Sequence, residues 1–264
     1  MGRKRFMRNG PKLIEIKNAK KVVFVGDTHG DFEVSQKIIK DYLKEGNKIV
    51  FLGDYVDRGP QSRENLDFLL EVKVKNPNQV YLLQGNHEGH RIIKFYPAEF
   101  WESLSETEYK KYASIVEKLP LIVITQDIIA LHGALPDCVR SGLAQIKLGS
   151  EEWQQITWGD FVDEHLFIST LHTARVSDEP GEYLGIDPFT GRPQFGRDYF
   201  LKIMERFKKK VLIRSHQPTS PLFMFDNRCL TIFTSSAYTR ERTIAIADFK
   251  KPIKNAKDLE IKRI

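Results

Sequence analysis

Asp27, His29, Asp54, Asn86, His87, His132 and His216 can ligate a metal ion or move a proton, and each follows an apolar run that reads as a β-strand. Asp27-Thr28-His29-Gly30 comes after Lys21–Val25, the segment Gly53-Asp54 through Arg58-Gly59 after Lys48–Leu52, and Gly85-Asn86-His87-Glu88 after Gln79–Leu83. His132 and His216 close two later runs, Ile128–Leu131 and Val211–Arg214. Carboxylate, imidazole and amide-oxygen donors without a thiolate suit manganese, iron or zinc. Two such cations, ~3.5–4 Å apart and sharing one carboxylate, hold both the attacking and the leaving oxygens of a phosphoryl displacement. Gly26, Gly30, Gly53, Gly59, Gly85 and Gly133 flank these residues, where they permit positive φ and close approach of the backbone to an ion or phosphate.

The elements that must position these residues follow from the spacing. Stretches of helical length, Phe32–Glu45 and Ser62–Asn76, separate the first three strands, a βαβαβ pattern. Parallel strands joined by crossovers bring their carboxyl ends, and hence the three loops, to one sheet edge. Ala98–Leu119 reads as one helical stretch, and Leu121–Thr125 with Ile128–Leu131 as a hairpin around Gln126-Asp127. Residues 149–198, rich in Gly, Pro, Asp, Thr and Arg, are expected to form long loops with short helices near the site. Arg197–Lys208 looks helical, and Leu222–Phe225, Cys229–Phe233 and Thr243–Ala247 read as strands. The expectation is an α/β fold with two packed sheets flanked by helices, the first built on parallel crossovers and the second more antiparallel.

Composition bounds the remaining possibilities. With 264 residues, 41% of them hydrophobic, the chain fills one large core, and residues 1–264 are expected to form a single catalytic domain. The net charge of +6 belongs to the ends. Residues 1–21 hold eight Lys/Arg against Glu15, and residues 250–264 hold six against Asp258 and Glu260, so the body between them is mildly acidic. No nucleic-acid groove is expected, and the basic extensions read as solvated, partly disordered ends. Cys138 and Cys229 are too few and too far apart for a disulfide framework, which favours a reducing cytoplasmic compartment and buried apolar roles. No apolar run reaches the ~20 residues that span a bilayer, so no membrane partner is expected.

Five segments in order, each at a strand end, resemble the metallophosphoesterase superfamily with its calcineurin-like fold. The longer runs GDYVDRGPQS, LLQGNHE, ALHGALPD, IRSHQP and TIFTSSAY are similar to the PPP family of serine/threonine protein phosphatases, in a prokaryotic or archaeal form. The resemblance covers about Val22 to Asp248. It implies two divalent metal ions, manganese first with iron or zinc as alternatives, one bound by Asp27, His29 and Asp54 and the other by Asp54, Asn86, His132 and His216. It further implies that a hydroxide bridging the metals attacks phosphorus directly, without a phosphoenzyme. His87 takes the place of the family's general acid with Asp57 on its other ring nitrogen, Arg58 clamps phosphate oxygens, and Tyr238 overhangs the site. Read from the residues alone, Asp57 before Arg58 is a loop ion pair, Arg58 a surface cation and Tyr238 a half-buried strand aromatic. His90, His165 and His172 read as structural.

Two departures from the family pattern stand out. Gln84 replaces the arginine usual before GNHE and is expected to remove a charge close to the site. The second phosphate-binding arginine, six residues before a Phe-Gly pair, has no counterpart, because Phe189 lies there; Arg192 is the nearest candidate and Arg175 an alternative. The activity implied is hydrolysis of phosphoserine and phosphothreonine in phosphorylated proteins. The alternatives are a dinucleoside polyphosphate hydrolase or other small-molecule phosphoesterase, and an inactive phosphoprotein-binding scaffold.

Overall fold

The computed structural model describes residues 11–138, 140–162, 183–238 and 241–264. His165, His172 and Arg175 lie outside the described residues. Two large sheets face each other. One has the order β14 (Glu260–Arg263), β13 (Thr243–Asp248), β2 (Lys21–Val25), β3 (Asn47–Phe51) and β4 (Val80–Leu82). The other has the order β1 (Leu13–Glu15), β5 (Ile122–Ile124), β6 (Ile128–Ala130), β10 (Val211–Arg214), β12 (Cys229–Thr231) and β11 (Phe223–Met224).

Period-two alternation divides each strand between two cores. Val22, Phe24, Val50 and Leu52 point between the sheets, against Val123, Ile128, Ala130, Val211, Ile213 and Leu230. Val23, Val25, Ile49 and Phe51 point outward beneath the helices α1 (Phe32–Tyr42) and α2 (Ser62–Lys75). Ile122, Ile124, Ile129 and Leu212 point the other way, under the helix Arg197–Phe207. Strands apolar on both faces are thus buried on both faces, giving helix, sheet, sheet, helix layers.

Both sheets are mixed, as expected of the fold class, but the second is not the more antiparallel one. It pairs β1 with β5, β6 with β10 and β10 with β12 in parallel, while the first sheet pairs β13 antiparallel to both β2 and β14. A third small sheet, β7 (Asp160–Phe161), β9 (Pro193–Phe195) and β8 (Tyr183–Ile186), lies in the region expected to be loops. Its strands are too short for alternation to register in the sequence.

The stretch 98–119 is two helices, Glu99–Glu102 and Glu106–Val116. Ser103 caps the end of the first, and Ser105 starts the second through a capping box, its hydroxyl accepting from Glu108 N–H while the Glu108 carboxylate accepts from Ser105 N–H. The described parts of the basic ends, 11–21 and 250–264, carry more regular structure than their charge suggests. Leu13–Glu15 pairs with β5 and Glu260–Arg263 with β13, because Leu13, Ile14, Ile16, Leu259 and Ile261 interleave the lysines and pack on the cores. No helix among the described residues is long and apolar enough to cross a membrane.

Candidate active site

The carboxyl ends of β2, β3 and β4 in one sheet and of β6, β10 and β12 in the other meet at one edge of the molecule. An isolated parallel bridge, Asp27 to Phe233, stitches the sheets there, reinforced by Gly26 N–H to Thr234 Oγ1 at 2.8 Å. Every candidate metal ligand sits in this seam and is buried.

The donor atoms converge. His29 Nε2 lies 3.5 Å from Asp27 Oδ2 and 3.7 Å from Asp54 Oδ2. His132 Nε2 lies 3.3 Å from Asp54 Oδ2, 3.1 Å from Asn86 Oδ1 and 3.1 Å from His216 Nδ1. The far nitrogens fix the tautomers: His29 Nδ1 donates to Val56 O (2.9 Å) and His132 Nδ1 to Leu52 O (3.1 Å), so each Nε2 faces the cluster. His29, Asp54 and His87 present donor atoms within 4.8 Å of one another, as do Asp54, His132 and His216. For the first group we favour Asp27 over His87, since Asp27 Oδ2 is buried without a hydrogen-bond partner among the described residues and His87 is committed to Asp57. An orphaned buried carboxylate oxygen, and three lone-pair donors crowded around one point at His132, His216 and Asn86, are what a divalent cation satisfies. The donor set fits.

The backbone carries its strain here. His29, Asp54, Asp57, Arg58 and His216 are five of the nine non-glycine residues with positive φ among those described. The flanking glycines were expected to permit positive φ or close approach, and Gly30 and Gly53 take positive φ, 68° and 112°. Gly85 instead serves close approach, since a Cβ there meets Asp54 Oδ1 at 2.2 Å. The turn burden falls largely on the ligands themselves.

Charge divides the site. Burial opposes ionisation of His29, yet the Asp27 carboxylate, 3.5 Å from its Nε2, and the charge of Asp54 outweigh it and lift the ring to about 9 in the metal-free protein. Burial likewise opposes the charged forms of Asp54 and His132, and their mutual attraction wins, holding the aspartate well below the usual carboxylate range and the histidine above its ordinary value. His216 goes the other way. Burial, then the positive charges of Arg192 and His132, push it well below its ordinary value.

Above the cluster lies a cavity of about 560 Å³ lined by His29, Asp54, Asn86, His87, His216 and both candidate arginines, Arg58 and Arg192, with Tyr238 at its edge. His87 Nδ1 is 2.6 Å from Asp57 Oδ2, and Asp57 Oδ1 accepts Phe100 N–H at 2.7 Å. Arg192 pairs with Asp160 at 3.6 Å. Gln84 departs from expectation: it is fully buried, does not line the cavity, and accepts from the Trp153 indole at 2.9 Å, so its place is in packing beneath the loop. His90 is structural as expected, stacked on Trp101 at 5.6 Å.

Several supporting residues escaped sequence reasoning. Glu88 is buried, and its carboxylate accepts from Asp54, Tyr55 and Gly85 N–H at 2.8, 2.9 and 2.9 Å, clamping the second motif to the third. Ser215 donates to Asp27 Oδ1 at 2.5 Å. Asp160 lies 3.8 Å from His216 Nε2 and 3.4 Å from the buried Arg214 guanidinium. Glu88 had a signal in its place in GNHE, and Arg214 and Ser215 in IRSHQP; Asp160 depends on a chain crossing that spacing does not reveal.

The family described as calcineurin-like phosphoesterase matches residues 20–220. A probable serine/threonine-protein phosphatase of Encephalitozoon cuniculi is 28% identical over 86% of this chain and 49% of its own length. Serine/threonine-protein phosphatase T of Saccharomyces cerevisiae is 27% identical over 88% of this chain and 45% of its own. The chain therefore spans about half the length of these relatives. Among solved structures, a protein serine/threonine phosphatase from Saccharomyces cerevisiae with similarity to human PP5 superposes with a TM-score of 0.75 at 20% identity, over 97% of this chain and 84% of that one.

Proposed function

The chain belongs to the calcineurin-like phosphoesterase family, and from that premise we propose that it hydrolyses phosphoserine and phosphothreonine in phosphorylated proteins. The observation that carries this reading is the gathering of Asp27, His29, Asp54, Asn86, His132 and His216 beneath a cavity that also holds His87 and two arginines. The names of the relatives favour protein substrates.

Asp27, His29 and Asp54 would hold one divalent cation and Asp54, Asn86, His132 and His216 a second; we propose manganese, with iron and zinc compatible with the same donors. When bound, such a pair acidifies water and neutralises charge on the phosphoryl oxygens. Water rather than a side chain is the nucleophile. Arg58 and Arg192 orient the phosphoryl group by charge-assisted hydrogen bonds. His87, its Nδ1–H held by Asp57, presents Nε2 to the leaving oxygen and donates the proton that a serine or threonine alkoxide needs. Asp57 holds that ring in place.

The test is turnover of a phosphothreonine peptide against diadenosine tetraphosphate, both with manganese. Faster hydrolysis of the peptide is expected. Preference for the nucleotide overturns the protein-substrate reading, and inactivity on both and on p-nitrophenyl phosphate with any divalent ion leaves a binding scaffold.

A further inference from the structure

Arg58 is held in place by the protein itself. Its Nε donates to the Tyr238 hydroxyl (2.5 Å), and its Nη1 donates to Pro97 O (2.7 Å) and to Glu99 Oε2 and Oε1 (3.2 and 3.4 Å). Glu99 Oε2 also accepts the backbone N–H of Arg58 at 3.3 Å. One carboxylate thereby grips both the side chain and the main chain of the same residue. That main chain needs gripping, because Asp57 and Arg58 are consecutive non-glycine residues with φ of 66° and 70°. With Nε and Nη1 engaged, Nη2 has no protein acceptor among the described residues, and Arg58 lines the cavity. The donor left for an incoming anion is Nη2.

Resting on the reading of this site as a phosphatase centre, we infer that Glu99 is a positioning residue that presets Arg58 and thereby sets the affinity of the site for the phosphate dianion. Stability does not account for the contact. The Glu99 side chain is 53% exposed, and an exposed ion pair adds little to folding. Its effect is on binding: ordering a long, rotamer-rich side chain is a cost that falls on association unless the free protein has already met it. Losing the preset geometry is expected to weaken phosphate binding by about threefold to tenfold. A net charge argument predicts the opposite sign, since removing an anion beside Arg58 favours a second anion. The direction of the change therefore decides between preorganisation and competition.

The experiment is calorimetric titration of inorganic phosphate into the manganese-loaded protein, comparing wild type, Glu99→Ala, Glu99→Gln, Arg58→Ala and the double variant Arg58→Ala/Glu99→Ala, with KM and kcat on p-nitrophenyl phosphate and Tm alongside. Glu99→Ala is expected to raise the phosphate Kd and KM by about threefold to tenfold, with a smaller effect on kcat and little on Tm. Glu99→Gln, which keeps an acceptor oxygen, recovers most of the loss. The double variant binds phosphate no worse than Arg58→Ala, because Glu99 acts through that arginine. Unchanged or tighter binding in Glu99→Ala, additive losses in the double variant, or a fall in Tm that tracks the binding loss overturns the inference. A wild type that binds phosphate but leaves a phosphothreonine peptide intact defeats the phosphatase reading while the Glu99 comparison still stands; a wild type that does not bind phosphate defeats both.

Discussion

The two sides of the site reach the same edge by similar strand ends but settle their charge differently. On the side built by the first sheet, Asp27, His29 and Asp54 form a carboxylate-rich cluster that holds a proton on His29 when no cation is bound. On the side built by the second sheet, His132 and His216 face each other at 3.1 Å, backed by Asp160 and the buried Arg214, and His216 resists protonation. A carboxylate cluster compensates a cation by charge. An imidazole pair offers lone pairs and depends on outer groups to hold its rings. Asp54 belongs to both sides, and that is the point at which the comparison is most easily broken.

Asp54→Asn is expected to give the largest effect, loss of both cations together with activity, beyond the ~10–100-fold typical of an outer-shell change. Metal analysis of the purified variant checks it, and retention of two ions removes Asp54 from the shared position. Next comes His87→Asn, which is expected to keep metal content yet lose ~10²–10⁴-fold in kcat on a phosphothreonine peptide and much less on p-nitrophenyl phosphate, whose leaving group needs no proton. Equal losses on both substrates remove the proton-donor role.

Asp160→Asn separates the two sides. Removing the carboxylate beside His216 is expected to weaken one manganese site by ~10–100-fold while the other keeps its affinity, seen as a split of two matched binding steps in a titration. Loss at both sites alike shows that the sides do not act separately. The smallest effect concerns protons in the metal-free protein. The folded-state value of His29 lies above its ordinary 6.5, so its contribution to stability is full below that pH and fades as pH rises through about 9. For His216 the folded value is depressed, so its neutral ring costs stability as pH falls below 6.5. Imidazole NMR titration of apo protein is expected to find His29 protonated and His216 neutral at pH 7.5, with manganese expelling the His29 proton.

Much of the first sheet was legible. Lys21–Val25 matches its strand, and the βαβαβ alternation needs only local periodicity and glycine-bearing loops, both written in contiguous residues. The second sheet was legible at Ile122–Ile124, Ile128–Ala130, Val211–Arg214, Phe223–Met224 and Cys229–Thr231, but not at the edge strand Leu13–Glu15, a three-residue strand among lysines. The small sheet around Asp160 and Pro193–Phe195 was missed because its strands hold two to four residues each, below the length at which alternation rises over chance. Arg192 was found as the nearest arginine to a displaced pattern, whereas its pairing with Asp160 required the chain to fold back across 32 residues.

What the sequence determined by itself is the donor inventory and its order: which carboxylates, imidazoles and amide ride on which strand ends, since parallel crossovers force those ends to one edge whatever the side chains do later. Tertiary structure alone decided that Gln84 faces Trp153 rather than the cavity, and that Glu99 grips Arg58. Those outcomes rest on contacts of a few ångströms between residues far apart in the chain, and their geometry is fixed only when two sheets pack and bring strained loops face to face.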